Sequence, residues 1–213
     1  MLPDRRPGGN HEERNDRMFF VFDTETTGIP RSRKAQVTDL GNWPRVVELA
    51  WSLYDAAGEP VSAAEYRVRP DGFRIPADAT WVHGITTADA TAHGRPVAEV
   101  LTAFLADLDR AQTLVAHNLA FDRPILGAEF VRLGHDLQTV RGRFLDRPGV
   151  CTMKATIDLC AIPGRFGKPK FPSLEELHQR LFGEAPPAGH RALADVRATA
   201  RCFFELRRRG VIG

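Results

Sequence analysis

Four carboxylates and one histidine in three short segments of this chain could hold cations and move a proton. The segments read Asp23-Thr24-Glu25-Thr26-Thr27-Gly28, His117-Asn118-Leu119-Ala120-Phe121-Asp122 and His190-Arg191-Ala192-Leu193-Ala194-Asp195. They supply Asp23, Glu25, Asp122, Asp195 and His190. Carboxylate oxygens are the hard ligands that Mg²⁺ and Mn²⁺ prefer. A histidine beside them can act as a base near neutral pH. Such a set suits a two-metal phosphodiester-cleaving site, where the ions clamp the attacking and leaving oxygens.

Local sequence tells where each group must sit. Met18 to Phe22 is a continuous apolar run, which predicts a strand buried on both faces and ending at Asp23. Side chains at i and i+2 of a strand share a side, so Asp23 and Glu25 can reach one ion. A turn at Thr26-Thr27-Gly28 would offer N–H groups and hydroxyls to a sugar or phosphate. Asp122 lies at a helix start, where a negative charge suits the macrodipole. By itself it reads more readily as a cap. Phe121 could stack on a base or pack in the core. Asp195 shares a helix stripe with Thr199, Cys202 and Leu206, which is costly for an acid unless it is paired or metal-bound. His190 follows Pro186-Pro187-Ala188-Gly189, which places it on the loop before that helix.

The elements that must position these groups follow from periodicity. Val46 to Tyr54 alternates Val47, Leu49, Trp51 and Leu53 with Glu48, Ala50 and Ser52, a second strand. Ala64 to Val68 is a third, after a turn at Ala57-Gly58-Glu59-Pro60. Pro30 to Pro44 is a long polar loop, of the kind that is functional or mobile. Pro96 opens a helix with Val97, Val100, Leu101, Phe104, Leu105 and Leu108 on one face. Thr113 to Ala116 is a short strand. A helix runs from Asp122 to Leu133, stopped by Gly134. Val150 to Met153 reads as a fifth strand. Ser173-Leu174-Glu175-Glu176 carries a capping box. A last helix covers Ala192 to Arg209 and ends at Gly210. Strands first, then strands and helices alternating, predict an α/β sheet with helices on its faces.

Composition removes several classes of function. A chain of 213 residues with 43% apolar and 26% charged residues is an ordinary globular sequence. No apolar run approaches the ~20 residues of a membrane span. Residues 1–17 are polar, with no apolar core of a secretory signal, and read as a disordered tail before a domain over 18–213. Cys151, Cys160 and Cys202 form no CxxC pattern, and so sparse an odd count fits a reducing, cytoplasmic setting. The formal net charge of +2 leaves nucleic-acid affinity to local clusters. Arg165, Lys168 and Lys170 are one, and Arg141, Arg143 and Arg147 another.

Taken jointly, the three motifs resemble the DEDDh family of 3′–5′ exonucleases, the proofreading-subunit type. Val82-His83-Gly84-Ile85-Thr86 also looks like a segment that family carries, and the likeness spans about Met18 to Leu206. The family's tyrosine variant is not matched, since Arg191 stands at the relevant position and the only tyrosines are Tyr54 and Tyr66. The resemblance implies a ribonuclease H-like fold with a mixed five-stranded sheet flanked by helices. It implies two divalent cations, Mg²⁺ or Mn²⁺, bridged by Asp23. Glu25 and Asp195 would complete one ion, Asp122 would act near the second, and His190 would deprotonate the attacking water. Thr26, Thr27, Gly28, His83, His117, Asn118 and Phe121 would meet the substrate, a nucleic acid with a free 3′ end. The expected products are nucleoside 5′-monophosphates, with DNA favoured and RNA or oligoribonucleotide ends as the alternative. A catalytically silent binding module is disfavoured because no acid or histidine is missing. The chain ends directly after its last helix, so a free-standing enzyme is expected in place of a polymerase-bound proofreading subunit. Self-association is left open.

Overall fold

The structure is a computed structural model and describes residues 17–187 and 191–213. Five strands form one sheet: β1 (Phe19–Thr26), β2 (Val46–Tyr54), β3 (Pro60–Arg67), β4 (Thr113–Ala116) and β5 (Gly149–Cys151). Their order is β3-β2-β1-β4-β5. The β3-β2-β1 part is antiparallel, and β4 and β5 run parallel to β1. The apolar run Phe19 to Phe22 explains the central place of β1, because every one of its side chains is buried. Odd and even positions then meet different layers. Phe20 and Phe22 pack with Trp51, Leu101, Phe104 and Phe130, while Phe19 and Val21 pack with Ala50, Val196 and Phe203.

The helices that cover these faces are α1 (Ala77–His83), α2 (Thr87–His93), α3 (Val97–Leu108), α4 (Leu119–Arg132), α5 (Leu137–Val140), α6 (Thr152–Ala155), α7 (Ile157–Cys160), α8 (Leu174–Phe182) and α9 (Ala192–Arg208). Helices α3 and α4 lie on the Phe20/Phe22 face, and α9 lies on the other. The capping box at Ser173 and Glu176 opens α8. Among the described residues, no helix is long and apolar enough to cross a membrane.

Several boundaries differ from those read in the sequence. β1 does not stop at Asp23; it continues to Thr26, because Asp23, Thr24 and Glu25 pair with Ala50, Leu49 and Glu48 of β2. β3 begins at Pro60, earlier than the expected Ala64, since the hairpin turn is tightened by two N–H bonds, from Ala57 and Glu59, to the Asp55 carboxylate. β5 ends at Cys151 because Thr152 already starts α6. Helix α4 starts at Leu119, before Asp122, because Asn118 adopts a left-handed conformation that turns the chain sharply out of β4. Helices α1 and α2, seven residues each, escape a periodicity reading. Helices that short are held by packing more than by intrinsic preference. The loop 30–44 is pinned: Trp43 is buried and its Nε1 donates to the Gln36 carbonyl, and Arg132 donates to the Leu40 and Trp43 carbonyls.

Candidate active site

The pairing of β4 with β1 ends at Val21–Val115, while β1 runs on for five more residues. The end of β1 is therefore flanked by β2 alone, and it carries the first acidic motif. Asp23 and Glu25 share the parity of Phe19 and Val21, so they project toward α9. Asp195 in the first turn of α9 meets them. One carboxylate oxygen from each of Asp23, Glu25 and Asp195 lies within 4.8 Å of the others, and all three residues are half-buried.

Such crowding has an electrostatic cost. Burial, then Asp122, Asp195, Glu25 and Glu48, push the Asp23 carboxyl well above its ordinary value. Burial, then Asp195, Glu48 and Asp122, push Glu25 up to about 7, and Arg191 pulls it partly back. Like charges this close disfavour joint ionisation, and a divalent cation would reverse that balance. Three hard oxygens from three side chains fit Mg²⁺ or Mn²⁺ and offer no soft ligand for other metals.

Asp122 approaches from the opposite face of the sheet. It is 2% exposed, on α4. Its Oδ1 accepts from Thr24 Oγ1 at 2.7 Å and from Thr24 N at 3.2 Å. The Thr24 N–H lies beyond the β1–β4 pairing, so Asp122 supplies the acceptor that β4 no longer gives. Burial pushes its carboxyl up to about 7, against the lowering effect of the Thr24 bonds. Asp122 stands outside the close trio but within its field.

The other sequence-predicted groups have mixed placements. Thr26 Oγ1 donates to the Gly28 carbonyl. Thr27 Oγ1 accepts from Arg45 N, and Thr27 N donates to the Arg45 carbonyl. The turn's polar groups are thus partly engaged within the chain, and the Thr27 O–H is left to donate. Gly28 has φ +145°, a backbone state that L side chains rarely adopt. His83 is buried, with Nδ1 accepting from Ile85 N at 3.1 Å. Burial lowers its pKa, offset in part by the Thr26 carbonyl nearby. His117 is latched at both ring nitrogens, Nδ1 to Thr152 Oγ1 at 3.0 Å and Nε2 to the Pro172 carbonyl at 3.1 Å. Burial lowers its pKa as well, and the ring joins the end of β4 to the segment before α8. Asn118 Oδ1 is buried without a hydrogen-bond partner, at the mouth of α4. Phe121 is half-buried against the core. His190 lies outside the described residues.

The basic cluster at 141–147 is largely spent inside the protein. Arg143 pairs with Asp109, Arg141 with Asp146, and Arg147 donates to the Leu108 and Ala111 carbonyls. Lys170 pairs with Glu176 at 2.6 Å. The three cysteines are free, and burial pushes the Cys202 thiol up to about 12, as a core thiol should be.

Sequence reasoning missed two groups. Thr24, between the two acids, orients Asp122. Glu48 is fully buried beside Glu25 and is bonded to Arg191 and to Ala192 N. Glu48 entered the sequence reading only as one phase of the β2 alternation, with no role assigned, yet all nine residues of that strand are buried. A charged residue in a strand flanked on both sides was the available signal.

The RNase_T exonuclease family model matches residues 20–203. The chain belongs to this family. It is 31% identical over 195 residues to human three-prime repair exonuclease 1, covering 84% of this chain and 60% of that protein. It is 34% identical over 192 residues to the DNA polymerase III subunit epsilon-like protein of Rhodobacter capsulatus, covering 88% of this chain and 23% of that one. The chain thus spans less than two thirds of either relative. E. coli exonuclease I, solved in complex with a dA16 oligonucleotide, superposes with a TM-score of 0.71 at 20% identity, over 91% of this chain and 41% of that one. The fold is ribonuclease H-like, a mixed five-stranded sheet with helices on both faces, as the motif resemblance implied.

Proposed function

We propose that residues 18–213 form a divalent-metal-dependent 3′–5′ exonuclease that removes nucleoside 5′-monophosphates from the end of a nucleic-acid strand, DNA favoured. The observation that carries this reading is the convergence of Asp23, Glu25 and Asp195, with Asp122 buried close by and the Asp23, Glu25 and Asp122 carboxyls held above their ordinary range. Asp23, Glu25 and Asp195 would hold one Mg²⁺ or Mn²⁺ and Asp122 would serve a second, with Asp23 shared. When bound, such ions supply charge neutralisation for the phosphoryl oxygens and lower the pKa of water.

The chain's own groups do the rest. His190 takes a proton from the attacking water, whose oxygen forms a new bond to phosphorus. The bond from phosphorus to the 3′ oxygen of the penultimate nucleotide breaks, and that oxygen is protonated from solvent. The phosphate leaves on the 5′ oxygen of the released nucleotide. Thr24 keeps Asp122 aimed through its hydroxyl and N–H. Asn118 Oδ1, unpartnered and at the helix mouth, is an acceptor for a sugar hydroxyl. Thr26, Thr27 and Gly28 border the terminal nucleotide, with His83 behind Thr26. His117 holds the β4 end in place and Phe121 flanks Asp122. The sparse free cysteines suit a reducing cytoplasm.

DNA is favoured by the relatives' names, which concern repair and DNA polymerase III. The second of these names also supports association with a polymerase as an alternative setting for the same chemistry. The test is digestion of matched DNA and RNA oligonucleotides with Mg²⁺ or Mn²⁺ and with chelator. Mononucleotides bearing a 5′ phosphate, formed only with metal, are expected. Products bearing a 3′ phosphate, or full digestion in excess chelator, would overturn the reading.

A further inference from the structure

Helix α9 carries Asp195, yet among the described residues its first turn has no cap from a neighbouring side chain of its own segment. Arg191 occupies the cap position and makes no side-chain cap bond. The first N–H groups of a helix need acceptors, and they favour negative charge. Here two acids from the sheet supply both. Glu48 Oε2 on β2 accepts from Ala192 N at 3.1 Å, and Glu65 Oε1 on β3 accepts from Leu193 N at 3.2 Å. Arg191 ties these acids together. Its Nη2 lies 3.2 Å from Glu48 Oε1 and 3.4 Å from Glu65 Oε2, and its Nε is 3.4 Å from Glu48 Oε2. Arg67 adds a longer contact to Glu48 at 3.8 Å. Glu48 is completely buried, whereas the Arg191 side chain is 45% exposed.

Stability alone does not account for Glu48. It pairs in register with Glu25, and its charge adds to the repulsion felt by Asp23 and Glu25. A neutral residue of the same shape would relieve that repulsion. What Glu48 does provide is a fixed, two-pronged attachment of the α9 start to the strand next to the acidic motif. The bidentate geometry of a guanidinium on a carboxylate fixes orientation as well as distance.

We propose that Glu48 and Arg191, with Glu65, are positioning residues that set the first turn of α9 and so aim Asp195 at the site it shares with Asp23 and Glu25. This rests on the acidic cluster being the hydrolytic site. On this assignment the pair acts without touching substrate or ion. Its effect passes through the helix start, in the manner of groups that orient metal ligands from behind.

The test compares the full chain with Glu48→Gln, Arg191→Gln, Arg191→Lys and the Glu48→Gln/Arg191→Gln double variant. The first readout is Mn²⁺ affinity by titration. Arg191→Gln removes a cation near the acids, so electrostatics alone predicts tighter Mn²⁺ binding; loss of positioning predicts binding weaker by about tenfold. The second readout is turnover of a 5′-labelled single strand. Each single change to Gln should lower kcat by about 10- to 100-fold with KM within about twofold, and the double should be no worse than the weaker single. Arg191→Lys should recover only part of the rate, because a point charge lacks the fork. Arg191→Gln should melt somewhat lower, because it leaves the buried Glu48 with one cationic partner fewer, while Glu48→Gln and the double variant should melt close to the unaltered chain. Tighter Mn²⁺ binding by Arg191→Gln, losses that multiply in the double, or losses that track melting temperature would overturn the positioning role. An unaltered chain without nuclease activity would overturn the hydrolytic reading instead, and the Mn²⁺ titration would still judge the pair.

Discussion

Replacing Asp122 by Asn should stabilise the metal-free protein at alkaline pH. Asp122 is 2% exposed, and burial pushes its carboxyl up to about 7. In the unfolded chain it titrates near its ordinary 3.8. Between these two values the folded state holds a proton that the unfolded state has released. Stability is therefore present below about pH 4 and is lost as pH rises toward about 7. A gap of roughly three pH units corresponds to a ceiling of about 4 kcal/mol. Asp122 titrates jointly with Asp23 and the rest of the cluster, so about half of that, ~2 kcal/mol, is assigned to it alone. Asn keeps the shape and can still accept from Thr24, but it never ionises. For a chain of this size, ~2 kcal/mol moves the melting temperature by about 4–8 °C. The assay is thermal unfolding of both proteins in chelator from about pH 4 to about pH 8, the window that spans the shift. The two should melt together at the acid end, and the Asn variant should melt higher by that amount at the alkaline end. Excess Mg²⁺ should close or invert the gap, because an ion that binds the ionised cluster stabilises the parent. A difference that does not change with pH, or an Asn variant less stable at alkaline pH, would refute the electrostatic account of the cluster.

Three further outcomes are expected. Asp23→Ala should be the most damaging single acid replacement for turnover, since Asp23 is the proposed bridge; near-normal rates in that variant would remove the two-ion assignment. His190→Ala should lower turnover by roughly 10² to 10⁴ while leaving Mn²⁺ affinity almost unchanged. The same variant should lose the acid limb of the pH–rate profile of single turnovers, and an unchanged profile would take His190 out of the mechanism. Thr24→Val should weaken the hold on Asp122 by about 1–2 kcal/mol and raise its pKa further, shifting the activity profile to higher pH; a profile that stays put would show that Thr24 does not tune this acid.

The parts of the fold that could be read from sequence are those fixed by local pattern. The ends of β2 and β4 match the apolar runs Val46–Tyr54 and Thr113–Ala116, and Ser173 with Glu176 marks the start of α8. The end of β1 was not readable, because hydropathy changes at Asp23 while the backbone goes on pairing with β2, a non-local fact. Helices α1 and α2 owe their existence to packing of Ile75, Ala79, Ile85 and Ala90 around Val47, which no window of local sequence contains. At the site, the i, i+2 spacing places Asp23 and Glu25 on one side of a strand, whereas grouping Asp195 with them rested on the motif resemblance; the structure brings one carboxylate oxygen of each within 4.8 Å of the others. Glu48 was not foreseen, since alternation in β2 masks burial on both faces. His117 shows the reverse case: its motif suggests contact with substrate, whereas both its nitrogens are engaged by Thr152 and Pro172.

The central claim is metal-driven hydrolysis from the 3′ end through the Asp23, Glu25, Asp122 and Asp195 cluster. Its most direct test follows one 5′-labelled DNA strand with Mg²⁺, with the 3′ end either free or blocked. The account predicts a ladder of stepwise shortening for the free end, and an intact blocked strand. Equal shortening of the blocked strand, or cleavage at internal positions, would contradict it.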